Sequence, residues 1–287
     1  MQICCFVTGL LVSSISYHVR NDILISEQSQ EPGSPSPNSE VLYEVADGIA
    51  TITINRPDRL NAINASASVA LFDAWHRFEA DASASVAILS ASGDRAFCVG
   101  RDLSEPAEGN FRIESFPIIG ASIDISKPTI AAVNGYALGG GFLFAQMCDL
   151  CVAAEHATFS IPEARLGRGA AWATSLIDML PARVAMEMLV TAAPMSAVRL
   201  CQLGFVNAVV PLADLAQEAR RMAGLIAANA PLSVRACRRL VHAVALQGRR
   251  PSAEEAEQMF AHVYASSDAQ EGIAAFRERR KPRWTGT

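Results

Sequence analysis

The sequence has no long basic run, no nucleotide-binding glycine signature and no internal repeat. Net charge is −5, and the dense basic cluster is Arg277, Arg279, Arg280, Lys281 and Arg283 near the C-terminus. A nucleic-acid binder needs a broad positive surface, so no nucleic-acid partner is expected. The cluster reads as a solvated tail or as a contact for an anion such as a ligand phosphate. Neither G-x-G-x-x-G nor the Walker spacing occurs, which weakens dinucleotide and nucleoside-triphosphate readings. Cysteines are few and odd in number, seven in all. That argues against a disulfide framework and for buried thiols in a reduced, cytoplasmic protein. Cys148 and Cys151 form a C-x-x-C, but no second pair or nearby His cluster completes a zinc site, so no metal is expected. No Lys or Arg precedes the apolar stretch Ile3 to Ser16, which is also too short and too polar for a membrane span. It reads as a weak signal or as an extension that does not pack. No membrane span is expected elsewhere.

What is present is apolar material, 51% of 287 residues, ample for a core. SEQSQEPGSPSPNSE, Ser26 to Glu40, buries too little surface to order itself and marks a boundary. Three regions follow: 1–40, an apolar segment and a disordered Ser/Pro-rich linker; 41–210, a core; 211–287, a helical region. VLYEV and IATITI flank Asp47-Gly48 and predict a β-hairpin. Asn64 or Ser66 can cap a helix running to about Ala80. Val86–Ser90, Thr129–Val133 and Leu150–Ala154 read as buried strands alternating with helices, hence βαβ units of an α/β fold. From Ala182 onward the pattern is helical.

Two glycine-bearing loops carry the chemistry. AFCVGRDL, Ala96 to Leu103, follows one strand. VNGYALGGGFLF follows another, with Gly139, Gly140 and Gly141 opening a helix. Ordering three glycines is costly, so a bare backbone is needed there. The first-turn N–H groups of a helix have no internal partner and favour negative charge. Donors from two such loops would make an oxyanion hole.

Here the sequence resembles the crotonase superfamily, the enoyl-CoA hydratase/isomerase fold. The resemblance runs from Val41 to Trp284. It rests on NRPDRLNAIN, AFCVGRDL, KPTIAAVNGYALGGG, the CDL that follows, ATFSIPEARLG, AMEMLVT, GFVNAVV and FRERRKPRW. It implies a spiral of ββα units with a C-terminal helical trimerisation region, an acyl-CoA thioester as substrate, and a homotrimer or dimer of trimers. Coenzyme A enters as part of the substrate and no separate cofactor is implied. The thioester oxygen would be held by the N–H groups of Gly140 and Arg101, with Gly139 and Gly141 keeping the approach clear. Arg101 stands where the family usually has a small residue, so its side chain must turn away or close part of the site.

Family hydratases resemble this chain but carry two glutamates. One matches Glu163, whose plain alternative is a helix-start charge behind Pro162. The other position holds Leu143, one turn after Gly140, and leucine can neither activate water nor carry a proton. A single carboxylate suffices to move a proton between two carbons, as in the family's double-bond isomerases, and an apolar pocket would raise its pKa. Three readings therefore stand: proton transfer with isomerisation, conventional hydration, and a non-catalytic acyl-CoA-binding paralogue. Glu105, Glu108 and Glu114 are further carboxylates after the first loop, with surface roles as the plain reading. Trp172 lies where hydratases resemble P-G-A-G-G-T. It either packs in the core, narrows the acyl tunnel or stacks on an aromatic substrate. Arg279 matches the tail residue that reaches the phosphates of CoA.

Overall fold

A computed structural model describes residues 39–104, 116–245 and 253–287. The N-terminal segment before Ser39 and the carboxylates Glu105, Glu108 and Glu114 lie outside the described residues. All described residues belong to one unit, Pro35–Thr287.

β1 (Val41–Ala46) and β2 (Ile49–Ile54) pair antiparallel from Val41↔Ile54 to Ala46↔Ile49. Both turn residues, Asp47 and Gly48, take positive φ, 53° and 75°, as a two-residue hairpin with right-handed twist requires. α1 (Ala65–Ala80) is capped by Asn64, whose side chain accepts from Ala67 N at 2.8 Å. Ser66, the other candidate cap, instead donates to Glu40. β3 (Val86–Ala91) then joins β2 in parallel.

From here each turn of chain gives one strand to each of two sheets. β4 (Ala96–Cys98), β6 (Tyr136–Leu138) and β8 (Thr158–Ser160) form one parallel set. β5 (Thr129–Val133) and β7 (Leu150–Ala154) extend the other, next to β3. α2 (Gly140–Met147) connects β6 to β7. After α3 (Leu176–Met179) and α4 (Ala182–Thr191), β9 (Met195–Ser196) pairs antiparallel with β8. α5 (Ala197–Gln202) leads to β10 (Ala208–Val210), parallel to β7. The sheets thus read β1-β2-β3-β5-β7-β10 and β4-β6-β8-β9. This is the ββα spiral expected from the resemblance.

One correction concerns the second half. The chain after Ala182 is not wholly helical, because β9 and β10 lie there. Strands of two and three residues show no periodicity, and their flanking helices dominate the pattern.

α6 (Leu215–Ala227) packs on β3, β5 and β7, burying Leu215, Ala219 and Ala223 at four-residue spacing. β5 is buried along its whole length, so it reads as an unbroken apolar run rather than an alternation. α7 (Pro231–Ala245), α8 (Ala253–Tyr264) and α9 (Ser267–Glu278) complete the helical region. Among the described residues no helix is long and apolar enough to cross a membrane.

Candidate active site

The two glycine loops meet through their bare backbones. Gly100, at φ 90°, has no room for a side chain: a Cβ there would stand 3.1 Å from Gly140 N and 3.2 Å from Leu138 O. Gly139, at φ 53° and ψ −120°, turns the chain from β6 into α2. Gly140 is the first residue of that helix, and among the described residues its N–H makes no hydrogen bond. On the first loop, Ile63 N donates to Gly100 O at 2.8 Å and Asp102 N donates to Ile63 O at 2.9 Å. This bridge uses the residues on either side of Arg101, so the Arg101 N–H lies on the edge away from Ile63. Asp102 is fixed in turn by Ser104 and by Arg56 at 3.1 Å, and these partners hold its carboxyl below the ordinary range.

β8 brings the third component. Gly139 N donates to Ser160 O at 3.0 Å, and the chain then turns into a short 3-10 helix, Pro162–Leu166. Pro162 opens it and Glu163 lies in its first turn. The Glu163 carboxyl reaches back to Gly139: a Cβ on Gly139 would be 3.2 Å from its Oε1. Trp172, on the next 3-10 helix Ala171–Ser175, donates its indole N–H to the same Oε1 at 3.0 Å. Oε2 is buried and has no hydrogen-bond partner among the described residues. Burial pushes the Glu163 carboxyl above its ordinary value, and its own backbone N–H and, to a lesser degree, the Trp172 indole only partly oppose this.

The surroundings are apolar. Leu143 is buried one turn beyond Gly140, and α2 packs against the helix carrying Trp172. Phe116 sits over Gly140, where a Cβ would be 2.9 Å from its ring, and stacks on Phe144 with ring centroids 4.9 Å apart. Gly141 lies flush on β4, where a Cβ would stand 1.9 Å from Cys98 O. Gly139, Gly140, Gly141, Glu163 and Trp172 therefore come together, beside the loop of Arg101. Arg279 does not join them. It follows α9, exposed and at φ 55°, and makes no ion pair among the described residues. Its neighbour Arg280 is paired with Glu271 and Glu278. Two features were not foreseen. Phe116 belongs to no motif, and the nine-residue spacing of Trp172 from Glu163 spans two irregular turns that no periodicity predicts.

Cys148 and Cys151 are both buried, and burial raises both thiols. Among the described residues no group of three or more His, Cys, Asp or Glu could hold a metal ion. A cavity of about 170 Å³ opens elsewhere, at the far end of α2 beside Gln146, Asp149, Met179 and Asn207. It contains none of the glycine-loop residues, so it is not where a thioester would meet Gly140.

Residues 44–287 match the family model described as enoyl-CoA hydratase/isomerase. The chain belongs to that family. The chain is 37% identical to a carnitinyl-CoA dehydratase of Salmonella typhi over 260 residues, 86% of this chain and 99% of that protein. A crystal structure of an enoyl-CoA hydratase from Mycobacterium tuberculosis H37Rv superposes with a TM-score of 0.79 at 39% identity, covering 87% of this chain and 100% of that one. A carnitinyl-CoA hydratase from Mycobacterium avium gives 0.67 at 35% identity, covering 87% and 100%. Family membership makes this a crotonase-type acyl-CoA enzyme and accounts for the alternating two-sheet spiral.

Proposed function

We propose that the chain moves a proton beside the thioester carbonyl of an enoyl-CoA, shifting its double bond. The N–H groups of Gly140 and Arg101 donate to the thioester oxygen as it gains charge, and Glu163 takes the proton from one carbon and returns it to another. The observation that carries this reading is that, among the described residues, Glu163 is the carboxyl brought to the glycine loops, half-buried with its Oε2 shielded, and Leu143 lies on the helix beside it. Asp102, on the Arg101 loop, is committed to Arg56 and Ser104. Coenzyme A belongs to the substrate, and a homotrimer or dimer of trimers is the expected assembly.

Addition or removal of water is the second reading, supported by the names of the relatives, dehydratase and hydratase. One experiment separates the two. A panel of 2-enoyl- and 3-enoyl-CoA thioesters is incubated in deuterated buffer, and product mass and label position are read. A double-bond shift leaves the mass free of added water; hydration does not. Glu163→Gln should lower turnover by about 100-fold or more, the size of a lost general base. Full activity in that variant would remove Glu163 from the mechanism. Leu143→Glu should raise hydration if a second carboxylate is what hydration lacks. Binding of every thioester without turnover would identify a non-catalytic paralogue instead.

A further inference from the structure

The two oxygens of Glu163 are not equivalent. Oε1 accepts the Trp172 indole N–H at 3.0 Å and lies against the backbone of Gly139, whereas Oε2 is buried without a partner among the described residues. An indole N–H can only donate. It therefore requires a lone pair on Oε1, and the hydroxyl oxygen of a carboxylic acid is a poor acceptor. While the indole bond holds, a proton added to Glu163 goes to Oε2. The arrangement also fixes where that oxygen stands, because the carboxyl is anchored at one corner by a half-buried ring. We propose that Trp172 is a positioning residue that anchors Oε1 and so makes Oε2 the atom that removes and returns the substrate proton. It holds only if Glu163 is the proton carrier proposed above. If Trp172 merely packed, its N–H would have no bearing on how Glu163 titrates.

The test uses the full-length protein. With three tryptophans in the chain, a ¹⁵N-labelled sample gives at most three indole N–H signals. One of them, identified by its loss in Trp172→Phe, should move as Glu163 titrates and stay fixed over the same range in Glu163→Gln. Turnover is then followed with the thioester converted fastest in the panel above. Trp172→Phe should lower kcat about tenfold, the cost of losing a hydrogen bond to a charged group, with KM little changed. Its acid limb should move to higher pH, because the carboxylate has lost the donor that stabilises its charge. An indole signal indifferent to pH, or an unshifted acid limb in folded Trp172→Phe, overturns the proposal. Should Trp172→Phe not fold, the titration of the wild type against Glu163→Gln still decides. Activity surviving in Glu163→Gln would refute the base itself. An inactive Glu163→Gln beside an unperturbed Trp172→Phe refutes only the role of Trp172.

Discussion

Gly139 and Gly141 stand two residues apart, yet different neighbours forbid a side chain at each. At Gly141 the obstacle is backbone, the Cys98 carbonyl 1.9 Å from a would-be Cβ. Carbonyls of a packed strand cannot move aside as a flexible side chain can, so α2 itself would have to lift off β4. At Gly139 the obstacle is the Glu163 carboxyl at 3.2 Å, together with a positive φ of 53°. Gly141→Ala should accordingly be the stability lesion, costing at least about 2–3 kcal/mol of overpacking, read as a lower urea midpoint. Gly139→Ala adds about 1–3 kcal/mol of backbone strain, because φ 53° with ψ −120° lies outside the regions an L side chain tolerates, but its distinctive effect should be on turnover, because the new methyl displaces Oε1 from the Trp172 indole. Equal losses of stability and activity in both variants would contradict this division. On the proposed reading the three glycines are therefore partly architecture and partly chemistry.

At the scale of elements, the longer pieces were legible and the short ones were not. The hairpin at Asp47-Gly48 and the buried strands Thr129–Val133 and Leu150–Ala154 follow from turn chemistry and unbroken apolar runs, which are local. β4 and β6 are three residues each and run into the glycine loops, so their strand character comes from pairing with each other and with β8. That pairing is a long-range fact. The same limit applies to the site: Glu163 and the glycines were visible through motif order, while the Trp172 contact depends on two irregular turns. Asp149 is a further case. It reads as the end of a helix, yet its carboxyl ties this turn to two further elements, β5 and α7, accepting from Thr129 N at 2.8 Å, from Arg238 Nε at 2.8 Å and lying 2.6 Å from His242 Nε2. Burial alone would raise its pKa, but His242 and Arg238 outweigh that and lower it. Asp149→Ala leaves a largely buried Arg238 without its carboxylate, and the chain should lose about 3–5 kcal/mol at neutral pH in denaturant unfolding. A lowered folded pKa means this support is complete above the unfolded carboxylate value and disappears as pH falls through the folded one. The gap between wild type and variant should close in acid. A constant gap would show that packing, rather than charge, ties α7 to the sheet.

At the scale of the whole molecule, the question is how the proposed site, built from residues 100–172, would engage a CoA thioester whose phosphates lie far from its thioester. The C-terminal tail is held firmly: Trp284 donates to Ala228 O at 2.8 Å, and buried Asp268 accepts from the backbone of Thr285 and Gly286 at 2.7 and 2.9 Å. Arg280 is consumed by Glu271 and Glu278, whereas Arg279, like Arg277 in the last turn of α9, presents an exposed guanidinium. A guanidinium presents paired donors suited to phosphate oxygens. If Arg279 meets a CoA phosphate, in its own subunit or a neighbour's, its effect must depend on the handle and not on the acyl group. Arg279→Ala should then raise KM about tenfold for a CoA thioester, the size of one lost charge-assisted contact, with kcat nearly unchanged. The matching pantetheine thioester, which lacks the nucleotide phosphates, should be handled alike by variant and wild type. The difference should also shrink as salt rises, because the contact is exposed and screened. An equal loss on both substrates would place Arg279 in the support of the helical region, and no loss on either would leave the tail outside substrate recognition.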